Sequence, residues 1–208
     1  MVISRLGILA AFSLLLVIQA AAEDTPTGPY VVSHRGLLLD APENTIANFH
    51  ACLNLNLGFE VDVQRSRDGH LVCVHDDTVD RTTNGNGKVS ELTLAELKQL
   101  DAGSWFDGSY RDQRIPTIDE IFELVGKHRR DNILIAVDFK GSDTNIEADV
   151  VRLAEKHGVL HRLLMIGRAI QNPSVRKRLR KASAKSHVAT VANSPDEPVP
   201  ETHLSPPP

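Results

Sequence analysis

The sequence predicts an α/β fold with parallel strands. Three observations predict it. Short apolar runs alternate with amphipathic stretches at helical spacing, helix starts carry Thr-x-x-Glu boxes, and polar residues gather where the apolar runs end.

The elements follow in order. Tyr30 to His34 reads as a short apolar strand, and Asn44 is placed to cap a helix carrying Ile46, Phe49 and Leu53. Gly58 to Val63 is a second strand. Asp68-Gly69 is a two-residue turn signal, so a hairpin is expected to grow out of that strand. Capping boxes at Thr93/Glu96, Thr117/Glu120 and Thr144/Glu147 announce three helices. The second carries Ile118, Ile121, Phe122 and Val125, and the third Ile146, Val150, Leu153 and Ala154, each on one face. Ile133 to Asp138, Leu163 to Ile166 and His187 to Val191 complete five strands, and no internal repeat is present.

Composition bounds the function. Of 208 residues, 41% are hydrophobic and 24% charged, which suits a globular chain rather than a disordered one. Met1 to Ala22 reads as an export signal, with Arg5 as its positive end, Leu6 to Ile18 as its apolar core and Ala20-Ala21-Ala22 before the cleavage point. That apolar run is short for a membrane span, so the mature protein is expected in the periplasm or outside the cell, without a stable span. Removal of 22 residues leaves 186, one domain's length and short for a closed (β/α)8 barrel of about 250. The net charge of −4 excludes nucleic-acid binding by bulk charge. Cys52 and Cys73 sit among apolar residues and read as buried free thiols rather than a disulfide. Six of the 11 prolines fall between Pro195 and Pro208, an extended or disordered tail, and Arg176 to Lys181 reads as a solvated basic helix face.

The strand ends carry the chemistry. The first ends His34-Arg35-Gly36, the second carries Glu60 and Asp62 on one face, and the third ends Asp138-Phe139-Lys140. Parallel barrels gather strand C-termini at one mouth, so these groups converge. Crowded carboxylates repel unless a cation sits among them, and a hard divalent cation with oxygen ligands fits Glu60, Asp62 and Asp138. Pairing the flanks of the Asp68-Gly69 turn sets Val63 opposite Val74 and Asp62 opposite His75, which returns a second histidine to the carboxylates. Two histidines beside a carboxylate-bound cation suit phosphodiester cleavage, one imidazole taking a proton from the attacking hydroxyl and the other giving one to the departing alkoxide.

Taken with their order and spacing, these pieces resemble the glycerophosphodiester phosphodiesterase family. They are His34-Arg35-Gly36, Pro42-Glu43-Asn44-Thr45 with Phe49, Gly58-x-Glu60-x-Asp62-Val63, Asp68-Gly69, Val74-His75-Asp76, Arg81-Thr82-Thr83-x-Gly85, Leu100-Asp101-Ala102-Gly103 and Ile115-Pro116-Thr117. The resemblance implies a TIM-like barrel of the phospholipase-C-like phosphodiesterase type. It implies His34 and His75 as the acid/base pair, Mg2+ or Ca2+ on Glu60 and Asp62, and Arg35 and Lys140 on the substrate phosphate. It also implies a small-molecule glycerophosphodiester, cleaved through a cyclic phosphate to glycerol 3-phosphate and an alcohol.

Two departures accompany it. Most relatives carry Glu-x-Lys where this chain has Asp138-x-Lys140, the form also used by spider sphingomyelinase D enzymes. The match fades after about Ile166, so the barrel is expected to be incomplete, with about five of eight strands and a hairpin insertion after the second. The expected layout is a leader over 1–22, a partial domain over 23–193 and the tail over 194–208. An open sheet leaves an unpaired edge, through which a second copy can pair. Two other functions remain: an inactive remnant that binds metal or phosphodiester, and a sphingomyelinase-D-like or phosphoinositide-cleaving lipase, for which no large apolar loop argues.

Other residues read blandly. Glu43 touches the metal shell, orients its loop or caps its helix, and Arg81 to Thr83 anchor the loop after the hairpin. Gly85-x-Gly87-Lys88 is a turn, lacking the spacing of a phosphate loop. Trp105 and Phe106 line either a cleft or the core. His50, His70, His128, His157, His161, His187 and His203 have no companions in the sequence and read as surface or packing residues.

Overall fold

Alternate residues of strand β2 (Gly58–Arg65) divide the molecule. Phe59, Val61 and Val63 enter the main core, while Glu60, Asp62 and Gln64 turn to the other face. A computed structural model describes residues 30–130, 132–140, 145–167, 170, 172–182 and 189–190. The expected leader and proline-rich tail, together with Thr144, His187 and His203, lie outside the described residues.

Four further strands run parallel to β2: β1 (Val32–Ser33), β4 (Ile135–Phe139), β5 (Leu163–Ile166) and β6 (Ala189–Thr190). Their order is β1-β2-β4-β5-β6, the sequential order of a (β/α) barrel wall. The strand β3 (Leu71–Cys73) returns antiparallel against β2. Five parallel strands and one hairpin are thus present, and among the described residues β1 and β6 do not pair with each other. The first strand is shorter than the sequence run suggests, two paired residues, and of the run from His187 to Val191 only Ala189 and Thr190 are described, both in β6.

Helices cover the outer face. These are α1 (Ile46–Asn54), α3 (Ile118–Lys127), α4 (Ile146–Lys156) and α5 (Pro173–Ala182), while α2 (Leu94–Gln99) lies on the excursion between β2 and α3. The core packs Phe49, Cys52 and Leu53 of α1, the Ile118/Ile121/Phe122/Val125 face of α3, Val150 and Ala154 of α4, and Leu179 of α5 against the strands. Phe49 stacks on Phe59 with ring centroids 4.2 Å apart. A second, smaller core of Val72, Val74, Val79, Val89, Leu97, Ala102 and Ile115 fills the excursion between β2 and α3. Cys52 and Cys73 are buried free thiols, as the sequence indicates. Among the described residues no helix is long and apolar enough to cross a membrane.

Several local expectations are corrected. Thr45, not Asn44, caps α1, its side chain accepting from the Asn48 amide. The boxes at Thr93/Glu96 and Thr117/Glu120 form in full. At α4 the cap position falls to Asn145, which leaves Glu147 one residue too early for a box; its buried carboxylate instead meets Arg178 of α5. Within the basic run Arg176 and Arg178 are half-buried, donating to the Ile170 carbonyl and to Glu147, while Lys177 and Lys181 stay exposed. His157 has a companion after all, Asp119 of α3, at 2.7 Å from its Nε2.

The hairpin register also shifts. The structure pairs Val63 with Cys73, Gln64 with Val72 and Arg65 with Leu71, one residue away from the expected alignment. Ser66 donates its amide to the His70 carbonyl around a three-residue turn, with Gly69 at φ +91°. That is a type I turn closed by a left-handed glycine, and it uses one residue more than the two-residue turn. Extending this register sets Val74, rather than His75, opposite Asp62.

Truncating Phe49→Ala, which removes a fully buried ring from the α1–β2 contact, is expected to lower unfolding free energy by about 3–5 kcal/mol in urea denaturation. A loss under about 1 kcal/mol would mean that this face is not core.

Candidate active site at the strand ends

The β2/β4 register sets Asp62 directly beside Asp138 and Glu60 beside Ala136. Glu60, Asp62 and Asp138 each offer an oxygen, and these atoms lie within 4.8 Å of one another. Glu60 and Asp62 are buried and Asp138 is partly so. Burial, reinforced by the neighbouring charges of Asp62 and Asp138, pushes the Glu60 carboxyl up to about 8. Three hard oxygen donors crowded until one holds its proton are the donor set of a divalent cation, so the residues present fit that group.

Basic groups close around the trio. Lys140 Nζ lies 3.0 Å from an Asp62 oxygen and pairs with Asp138 as well. Those carboxylates outweigh desolvation and raise the Lys140 ammonium above its usual range. Arg35 follows β1 with φ +54°, and its backbone N–H donates to Glu60 at 2.8 Å. Its guanidinium approaches Asp62 at 3.6 Å and Glu43 at 3.3 Å. His34, exposed, begins the turn just after β1, one residue before this contact.

The sequence missed which side chains hold the carboxylates in place. Asn44, at φ +54°, donates from its amide to Asp62 at 2.8 Å and accepts from the Asp62 N–H at 3.2 Å. Because Thr45 takes the cap, Asn44 is free for this work, and asparagine is the ordinary residue that best tolerates a left-handed backbone. Gly167, at the end of β5 with φ +95°, is a second case: a Cβ there would lie 1.7 Å from an Asp138 oxygen. No pattern in a single sequence marks that contact.

His75 does not take the expected place opposite Asp62. Just beyond β3, its Nδ1 bonds Asp76 at 2.7 Å, and it shares the wall of a small cavity with Glu43, Asn44 and Thr82. Arg81 grips Asp76 and Glu43 together. Glu43 does not join the trio; buried, its carboxylate faces Arg81 and Arg35, whose charges overcome desolvation and hold it below its usual range. Trp105 and Phe106 belong to neither core; they pack edge to face with each other, and Phe106 packs likewise on Tyr110.

Comparison with known proteins gives the context. The family described as the Glycerophosphoryl diester phosphodiesterase family matches residues 34–197, well past the point where the sequence motifs fade. A glycerophosphodiester phosphodiesterase of Caldanaerobacter subterraneus is 41% identical over 139 residues, covering 65% of this chain and 56% of that protein. One of Bacillus subtilis is 35% identical over 147 residues, covering 65% and 49%. The chain thus spans about half the length of the curated relatives it matches. Among solved structures, a glycerophosphodiester phosphodiesterase of Agrobacterium tumefaciens is similar with TM-score 0.68 at 30% identity, covering 79% of this chain and 67% of that one. An Oleispira antarctica phosphodiesterase, solved with the product sn-glycerol-3-phosphate, is similar with TM-score 0.64 at 30% identity, covering 79% and 66%.

Two outcomes are expected from this geometry. A cation entering the trio must expel the Glu60 proton, so its affinity should rise about tenfold per pH unit below about 8, with close to one proton released per ion. Calorimetry in buffers of different ionisation enthalpy measures this, and pH-independent binding would contradict it. Gly167→Ala, which drives a methyl into the Asp138 carboxylate, should weaken cation binding at least tenfold in the same experiment.

Proposed function

The chain belongs to the glycerophosphoryl diester phosphodiesterase family, and on that premise we propose that it hydrolyses glycerophosphodiesters to glycerol 3-phosphate and an alcohol, with a divalent cation, Mg2+ or Ca2+, held by Glu60, Asp62 and Asp138. The observation that carries the proposal is the register of Asp62 beside Asp138, which assembles those carboxylates at the ends of parallel strands. Bound there, the cation supplies positive charge to the phosphoryl oxygens.

The chain's own residues then divide the work. Arg35 and Lys140, both already turned towards the trio, bind and orient the phosphate. His34 and His75 serve as the acid/base pair. One imidazole takes the proton of the glycerol hydroxyl next to the phosphate as its oxygen bonds phosphorus. The other protonates the alkoxide as its bond to phosphorus breaks. Water then opens the cyclic phosphate with the two roles exchanged. The leader-like residues 1–22 support action outside the cytoplasm, and β1 and β6, which do not pair with each other among the described residues, support pairing with a second copy.

A second reading, a lipid phosphodiester as substrate, has one observation in its favour. Leu38 and Leu39 are exposed in the turn after His34–Gly36, and the Tyr110 hydroxyl donates to Asp40 at 2.8 Å, tying that turn to the loop of exposed Trp105. Exposed apolar side chains thus stand on two loops that are tied to each other.

Purified protein assayed on glycerophosphocholine should release glycerol 3-phosphate with Mg2+ or Ca2+, lose activity with chelator, and lose roughly a hundredfold or more in kcat in His34→Ala. Release indifferent to both changes would sink the mechanism. No release with either ion would favour a cation-binding chain without catalysis, and faster cleavage of the lysolipid than of glycerophosphocholine would favour the second reading.

A further inference from the structure

We propose that Arg81 is a positioning residue of this site, whose guanidinium holds Glu43 and Asp76 together and thereby fixes the imidazole of His75 in orientation and tautomer. The inference deepens the acid/base role given to His75 above and rests on it.

Arg81 lies in the turn after Val79, in a loop that already has its own fastenings. Val79 donates to Gly87 at 3.0 Å, Val89 to Asp77 at 2.9 Å, and the Thr83 hydroxyl to Val79 at 2.8 Å. Both valines are fully buried. The loop thus has fastenings besides the Arg81 side chain, and Thr83 supplies one of them as the sequence suggests. That side chain makes four hydrogen bonds, and none goes to its own turn. Nη1 and Nη2 donate to the two Glu43 oxygens at 2.8 Å each. Nε and Nη2 donate to the two Asp76 oxygens at 2.7 and 3.1 Å. A planar fork can serve two carboxylates in this way; a lysine cannot.

The consequence reaches the ring. Arg81, chiefly through its hydrogen bond, holds the Asp76 carboxyl far below its usual range, so Asp76 is an acceptor at any working pH. His75 Nδ1, at 2.7 Å from Asp76, must then carry a hydrogen, which leaves Nε2 as the nitrogen that exchanges a proton with substrate. On the other side Glu43 contacts Arg35, and Arg35 reaches Glu60 and Asp62. A continuous chain of charge thus runs from the second histidine to the carboxylate trio. The titratable and charged groups facing His75 are Asp76 on its own segment, Arg81 behind it, Glu43 before α1 and Cys73 of β3.

The test reads the ring directly. In the full chain, 15N and 1H NMR should find neutral His75 in a single tautomer with the proton on Nδ1. Arg81→Met leaves the Asp76 charge unshared, so the His75 midpoint should rise by about 1 pH unit. Arg81→Lys should recover only part of that change. Asp76→Asn should lower the midpoint, and it keeps the question answerable if Arg81→Met does not fold. A folded Arg81→Met with unchanged His75 midpoint and tautomer would overturn the proposal, as would an Asp76→Asn protein with no change in the ring. A chain that cleaves no glycerophosphodiester would count against the function proposed above, while the titration alone would still decide the role of Arg81.

Discussion

Asp62 stands beside Asp138 because β2 and β4 pair in one register, and most of the molecule is committed to that register. The same alignment sends Phe59, Val61 and Val63 of β2, with Ile135, Val137 and Phe139 of β4, into the core beneath the helices. A slip of one residue would exchange the two faces, burying carboxylates among Phe122 and Val150 and exposing the valines. Core and site therefore specify each other. The apolar face supplies the stability that lets the polar face hold three carboxylates close together, an arrangement that opposes folding by itself.

The crowding explains the unusual backbone nearby. Of the three non-glycine residues with positive φ among the described residues, Arg35 and Asn44 both serve the carboxylates. Arg35 turns its N–H to Glu60, and Asn44 places its side-chain amide on Asp62. Left-handed backbone costs energy for such residues and persists where surrounding contacts enforce it. Here the return is neutralisation of buried negative charge by fixed dipoles and by two cationic side chains.

The parallel strands, both complete capping boxes and the converging trio were legible because each rests on a short-range rule: period two along a strand, Thr-x-x-Glu at a helix start, polar residues at strand ends. What failed to show depended on choices between near-equal local options. Asn44 and Thr45 can each cap a helix, and only the fold reveals that Asp62 needs the asparagine. Asp68-Gly69 fits a two-residue turn and also the three-residue turn that forms, and the difference moves the His75 register by one. Glu147 satisfies a box in sequence, yet burial against α5 gives its charge a better partner in Arg178. Gly167 was invisible because its meaning lies in an approach to Asp138 from a different strand.

The two histidines consequently stand on different foundations. His34 follows a strand of the parallel sheet and shares its turn with Arg35, so sheet geometry places it relative to Glu60. His75 follows the short return strand, on an excursion whose stability comes from a separate small core around Val72, Val79 and Leu97. No strand register fixes the distance between them. Glu43 lies between the two, gripped by Arg81 from the excursion and by Arg35 from the sheet, with its carboxylate almost fully removed from water. A desolvated carboxylate with two guanidinium partners tolerates the loss of neither, so a shift of the excursion away from the sheet would leave buried charge uncompensated. Electrostatic satisfaction at Glu43, rather than backbone pairing, is what keeps the two halves of the site in step.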